Sequence, residues 1–441
     1  MPAKSFKGFS SPGKGSDKPM TESCCDKQAA VISNGPYAWF DRMIEHCHEY
    51  AKAEKAAGRP VVGIMCEYTP RELIMAAGAV PVCLCGGSAK TIPDAEQHLP
   101  ANLCPLIKST YGYHVQRSNP FLEMADLVVG ETTCDGKKKM YELMAESRPM
   151  YVLELPHKSG DADALQYWVR ELRKFQDFLS KCFSTEITDE RIRESIRLLN
   201  RERALRRELA GFMKFDHPPI SGRRLLDCKS SIWAMPEALR QYELVIDAFR
   251  GQCVSENNTS VENNQGKCPH PNPLRAPTEG WSGEGNAGQV RVQMTGVPMV
   301  HGAERVIDII ENCGGTVVAM ENCTGLKPLL DDVDENAADP LVALAEKYFH
   351  LPCSVMTPND RRLEVLGKMA ADYRPECIIE LIWQACLTYD VESHRIRRYA
   401  EEELGLPYLR IETDYSPSDS ARIAVRVEAL FETVRARRSA P

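Results

Sequence analysis

Apolar residues in this chain gather into short runs separated by helical stretches, and the alternation occurs twice. From Tyr37 to about Ala57 the apolar positions recur with a helical period, and Pro60–Met65 is a continuous apolar run that reads as a buried strand leading to Cys66. Thr69-Pro70-Arg71-Glu72 then supplies an N-cap, a proline at the first helical position and an acidic first turn, and Gly78 stops the helix. A second strand, Val80–Cys85, ends at Gly86-Gly87. A third, Ala125–Gly130, ends just before Cys134 and is followed by a helix over about Lys139–Glu146, and Met150–Leu155 closes the unit. Strand, loop, helix, strand predicts a parallel sheet, whose functional loops lie at the carboxyl ends of its strands.

Residues 161–251 read as long amphipathic helices rich in Arg, Glu and Leu, and residues 252–288 as an exposed polar excursion with few apolar positions. The first pattern then returns. Gln289–Met294 is a strand, Val306–Cys313 a helix ended by Gly314-Gly315, and Thr316–Met320 a strand that delivers Cys323. Cys377–Cys386 is an apolar stretch that fits helix or strand, Tyr408–Ile411 is a strand, and Ala421–Val434 is a closing amphipathic helix. The expected architecture is α/β: two Rossmann/flavodoxin-like lobes with parallel sheets, spanning 36–160 and 289–441, joined by the helical segment. Residues 1–35, small, polar and punctuated by Gly and Pro, read as a mobile leader.

At 441 residues the chain is too long for one ordinary core. Its seventeen cysteines are an odd number with no secretory leader ahead of them, which argues against a disulfide framework and for a reducing, cytoplasmic setting. No run approaches the roughly 18 apolar residues of a membrane span. The formal charge of −8 gives no general attraction to nucleic acid.

Six of the cysteines stand at breaks in the hydrophobic pattern and form two similarly spaced triplets: Cys66, Cys104 and Cys134, then Cys323, Cys353 and Cys386. Six thiolates can hold more metal than one zinc ion needs, and their distribution points to iron and sulfur. Cys83 and Cys377, within apolar runs, read instead as small hydrophobes. Cys24 and Cys25, in the leader, and Cys253 and Cys268, in the excursion, are left out of the site. The short ferredoxin spacing is absent, so a cluster here is held by loops that the fold brings together. Three protein thiolates on a four-iron cubane leave one iron open to a substrate or a bridging sulfide. The chain lacks a GxxxxGK[ST] phosphate loop, so ATP is not expected to bind in that way. Gly86-Gly87 and Gly314-Gly315 read as turn and helix-stop glycines.

Several segments together resemble a known family. Cys66-Glu67-Tyr68-Thr69-Pro70-Arg71-Glu72 with Ala76-Ala77-Gly78, Cys104-Pro105-Leu106-Ile107-Lys108-Ser109, and Thr133-Cys134-Asp135-Gly136-Lys137-Lys138-Lys139-Met140-Tyr141-Glu142 are similar to motifs of the 2-hydroxyacyl-CoA dehydratase/benzoyl-CoA reductase component family. Glu321-Asn322-Cys323-Thr324-Gly325, Pro352-Cys353 with Pro358-Asn359-Asp360-Arg361-Arg362, Cys386, and Ile411-Glu412-Thr413-Asp414-Tyr415-Ser416 resemble its later motifs. The resemblance implies iron–sulfur chemistry in one of two forms. Dehydratase and benzoyl-CoA reductase subunits hold one [4Fe-4S] cluster through three cysteines, whereas the double-cubane cluster branch holds an [8Fe-9S] cluster through six.

Six motif-matched cysteines favour the double-cubane branch. That branch implies an oxidoreductase: a homodimer that reduces small molecules at low potential, fed by a separate ATP-hydrolysing [4Fe-4S] activator. A lyase, as a 2-hydroxyacyl-CoA dehydratase subunit with a single cluster, is the alternative within the family, and a non-catalytic metal-binding or electron-storage protein is the alternative outside it. Glu67, Asp135 and Glu321 are the proton-relay candidates, with His157 and His350 in loops at element ends. Helix capping is the stronger reading for Glu67 and Asp135, Glu321 reads equally as a hydrogen-bonded strand end, and Lys137-Lys138-Lys139 could offset cluster charge or dock an acidic partner but reads first as a solvated helix face.

Overall fold

The computed structural model describes residues 35–257 and 288–439. The expectations for the leader, including Cys24 and Cys25, and for Cys268 lie outside the described residues, as does the side chain of Cys253. Two four-stranded parallel sheets form the two lobes. The first contains β1 (Val61–Ile64), β2 (Val80–Cys83), β3 (Leu127–Glu131) and β4 (Met150–Leu153), in the order β2-β1-β3-β4. The second contains β5 (Val290–Gly296), β6 (Gly315–Glu321), β7 (Cys377–Trp383) and β8 (Tyr408–Thr413), in the order β6-β5-β7-β8. The same order twice means that the chain repeats one winding, and in each lobe the winding reverses between the first strand and the third. Such reversal points open a crevice at the carboxyl ends of the strands.

Most residues of β1, β3, β6 and β7 are buried, as expected where helices cover both faces of a parallel sheet. This settles residues 377–383 of the 377–386 stretch as a strand: all seven residues of β7 are buried, and it pairs with β5 and β8. Long helices, Ala162–Cys182, Asp189–Gly211 and Pro236–Asn257, lie between the lobes in sequence, and the last runs past residue 252. Two differences bear on the site. The helix expected from about Lys139 starts at Asp135, with Cys134 as its N-cap, because no residue between them breaks the helix. A helix at Pro105–Gln116 was not anticipated, since its mixture of Ser, Thr, Tyr and Gly has weak helical periodicity; Pro105 at its first position was the available signal.

Buried polar contacts tie the parts together. Glu72, beyond β1, accepts from Arg203 at 2.5 Å and from the Tyr348 hydroxyl at 2.8 Å, linking the first lobe, the helical segment and the helix Pro340–Phe349. The Tyr68 hydroxyl donates to Leu351 O at 3.2 Å. Gly87 is more than a turn residue: a Cβ there would lie 2.4 Å from His301 O, so only glycine allows the backbones of the two lobes to approach so closely. Among the described residues no helix is long and apolar enough to cross a membrane.

The helix that begins after Cys104 is anchored near its other end by His114, whose Nδ1 accepts from Arg148 Nε at 2.7 Å. Burial and then the Arg148 charge pull the imidazole down to about 4. A folded-state value below the unfolded one means the neutral ring stabilises the fold above about pH 6.5, and this contribution is lost as pH falls toward 4. We expect a loss of about 1–2 kcal/mol over that window, discounted for partial exposure. Thermal melts at pH 7 and pH 4.5 measure it; the His114→Gln protein should lack this component, and an unchanged pH dependence would show that His114 is not its source.

Candidate metal centre

The repeated winding carries five of the six cysteines to strand ends and helix starts. Cys66 lies just beyond β1 and Cys134 just beyond β3, on either side of the first lobe's reversal point, and Cys386 follows β7 at the second. Cys323 follows β6, and Cys353 sits in the turn after the helix Pro340–Phe349. Cys104, Cys134 and Cys386 are the N-cap residues of the helices Pro105–Gln116, Asp135–Met144 and Leu387–Arg398. Helix N-termini favour negative charge, so thiolates are stabilised there.

The thiols associate across the lobes rather than by sequence triplet. The neighbouring Cys386, with the Leu106 and Ile107 N–H groups, lowers Cys104 despite its burial, while Cys104 and burial raise Cys386 well above the thiol range. Cys134 feels the charge of Cys104, and Cys386 that of Cys134. In a second set, burial pushes Cys66 up to about 12 and Cys323 well above its ordinary value, and Cys353 acts on both. Cys66 and Cys323 also feel one another. Each set draws on both lobes: Cys104 and Cys134 with Cys386, and Cys66 with Cys323 and Cys353.

This donor set fits iron and sulfide. Soft thiolates select such clusters, and metal binding would supply the charge that lets buried thiols deprotonate. Among the described residues no three His, Cys, Asp or Glu side chains are spaced to hold a single ion. Thiolates on a cubane each meet a different iron, so single-ion spacing is not required of them.

Cations and hydroxyls border the thiols. Lys137 turns inward and donates to Met65 O at 3.0 Å; burial alone would lower its ammonium, but Tyr141, Cys66, Cys85 and Glu131 hold it well above the usual lysine range. Lys138 and Lys139 remain exposed, paired with Asp135 and Glu142, so the solvated-face expectation holds for two of the three lysines. On the other side, buried Lys327 lies 3.1 Å from Glu321 and donates to the Tyr389 hydroxyl at 3.0 Å.

The three relay candidates have separate fates. Glu67 does not cap a helix, since Pro70 holds that position; it accepts from Arg71 at 2.7 Å. Asp135 opens its helix, is exposed, and is held below its ordinary value by a hydrogen bond from Lys138. Glu321 is buried between Lys327 at 3.1 Å and Arg362 at 3.1 Å, and also accepts from Thr295 at 2.6 Å. His157 Nε2 lies 3.1 Å from Thr132 O, and His350 Nδ1 is 2.7 Å from Glu346 O.

Sequence reasoning missed Tyr68, Tyr389 and Lys327, each buried beside the thiols, and it treated Cys83 as core. It also passed over Cys85, which follows β2 as Cys323 follows β6; comparing the two windings strand by strand would have found it. The Cys85 thiol donates to Met65 O at 3.3 Å, and the neighbouring Cys85 lowers Cys83 against its burial.

Residues 66–434 match the family described as 2-hydroxyglutaryl-CoA dehydratase, D-component. The chain is 39% identical over 383 residues, 86% of its length and 92% of the relative's, to YjiM of Escherichia coli (strain K12), a protein whose name assigns it provisionally to a dehydratase subunit. It is 23% identical over 385 residues, 86% of this chain and 93% of the relative, to the lactoyl-CoA dehydratase subunit beta of Anaerotignum propionicum. A shorter similarity, 25% over 162 residues spanning 36% of this chain and 41% of the relative, links it to one of the subunits of the benzoyl-CoA reductase of Thauera aromatica.

Proposed function

This chain belongs to the 2-hydroxyglutaryl-CoA dehydratase D-component family, and from that premise we propose that it is the iron–sulfur component of a reductive enzyme system. In this reading Cys66, Cys104, Cys134, Cys323, Cys353 and Cys386 hold an [8Fe-9S] double cubane. A homodimer reduces small molecules with electrons from a separate ATP-hydrolysing [4Fe-4S] activator. What supports the reading is that five of the six cysteines stand at strand ends or helix starts, and that the six act on one another in two groups of three, each drawn from both lobes.

When bound, such a cluster supplies low-potential electrons to a substrate. The protein's own residues explain how it is held and shielded. The three helix N-termini behind Cys104, Cys134 and Cys386 balance negative charge on one side and Lys327 on the other, while the inward Lys137 acts on thiols of both groups. Buried Tyr68 and Tyr389 limit the access of water to Cys353.

The dehydratase names of the relatives favour a second reading, a subunit with one [4Fe-4S] cluster that acts as a lyase. Iron and acid-labile sulfide in anaerobically purified protein separate the two. We expect about eight irons per chain, whereas about four supports the single-cluster reading and zinc or no metal removes both.

A further inference from the structure

The two thiol groups stand in different surroundings. Around Cys104, Cys134 and Cys386 the stabilising elements are helix N-termini, and the nearby Tyr415 gives its hydroxyl hydrogen to Gly86 O at 3.3 Å. Around Cys353 they are side-chain hydroxyls. Tyr389 OH lies 4.0 Å from Cys353 Sγ, within reach of a hydrogen bond to sulfur. Tyr68 lies in the field of Cys353, Cys66 and Cys323.

The direction of the Tyr389 hydrogen follows from its other partner. Lys327 Nζ donates to the Tyr389 oxygen at 3.0 Å, and an ammonium has no lone pair with which to accept. The phenolic hydrogen must therefore point elsewhere, and a metal-bound Cys353 thiolate, having no hydrogen of its own, can only accept it. The donor is well fixed. Arg362 stacks over the Tyr389 ring at 4.8 Å, and Lys327 is held by Glu321 at 3.1 Å, so the ring and the lysine have little freedom to turn away.

We propose that Tyr389, oriented by Lys327, donates a hydrogen bond to the Cys353 sulfur and raises the reduction potential of the cubane bound on that side more than that of the other. Tyr389 is a positioning and tuning residue in this proposal, which rests on the cluster reading above. Hydrogen bonds to ligating sulfur disperse the negative charge added on reduction and so favour the reduced form.

The test is an anaerobic redox titration of the iron-loaded protein followed by electron paramagnetic resonance, with iron counted in every sample. In Tyr389→Phe we expect full iron and a roughly tenfold fall in the reduced-to-oxidised ratio of one step at fixed poise, about 59 mV for one electron. The other step should move less. Tyr415→Phe serves as the control on the opposite side and should shift neither step through Cys353. Should Tyr389→Phe fail to take up iron, replacing the tyrosines of the unaltered chain with 3-fluorotyrosine gives a more acidic phenol, a stronger donor, and should move the same step upward. Full iron with unshifted potentials in Tyr389→Phe, or no upward movement on fluorination, overturns this inference and leaves the cluster reading standing. Absence of iron and sulfide from the wild-type protein overturns both.

Discussion

The six single Cys→Ser variants are expected to sort into two spectroscopic classes by position in space: Cys104, Cys134 and Cys386 in one, Cys66, Cys323 and Cys353 in the other. A serine hydroxyl is a much poorer ligand for iron than a thiolate, so each variant should lose roughly half its iron or more. Variants that disturb the same cubane should leave the same residual signal. The physical ground is the influence of Cys104 and Cys386 on one another and of Cys353 on Cys66 and Cys323, which crosses between the lobes. Iron counts and electron paramagnetic resonance of the anaerobic proteins provide the measurement. Sorting by halves of the sequence, with Cys66 grouped with Cys104 and Cys134, would sink the cross-lobe arrangement. A clean, unperturbed four-iron signal surviving in both Cys134→Ser and Cys353→Ser, one from each group, would show that the two sides are not one fused cluster.

That reassignment shows where the sequence stops being legible. The strands could be read because parallel strands covered on both faces are continuous apolar runs, and β1, β3 and β6 stand out as such. Candidate ligands could be read because Cys66, Cys134 and Cys323 break those runs at their carboxyl ends. Which thiols meet could not be read, since that depends on how two separately wound sheets face one another. Gly87 against His301 and Tyr415 against Gly86 record that docking, and both are contacts between residues more than two hundred positions apart.

The same limit explains Lys137 and Tyr389. Three consecutive lysines look alike in sequence, and only the start of the helix at Asp135 turns the first of them inward toward Met65 while Lys138 and Lys139 face solvent. Tyr389 is one aromatic residue in a polar helix, with nothing local to mark it as the partner of a lysine and a cysteine from elsewhere in the chain.

The largest loss of stability is expected from Arg362→Met. This guanidinium is fully buried and meets Glu321 at 3.1 Å, Glu380 at 3.0 Å and Glu392 at 2.5 Å, with Thr295 at 2.8 Å and the Tyr389 ring beneath it. Two of the three carboxylates, Glu321 and Glu380, are themselves inaccessible to water. Methionine fills much of the volume but supplies no charge, so Glu380 would keep only the Tyr408 hydroxyl at 2.6 Å as a close partner, and Glu321 would keep Lys327 and the Thr295 hydroxyl. Breaking a buried ion pair from one side costs about 3–5 kcal/mol, because the remaining charge stays desolvated. Denaturant unfolding of the metal-free proteins measures the loss. Adding Glu380→Gln to Arg362→Met should restore part of it, since the buried charge left without its arginine is then gone, whereas Glu380→Gln in the wild-type background should destabilise. If the double variant is no more stable than Arg362→Met alone, the arginine acts through packing against Tyr389 rather than by balancing these carboxylates.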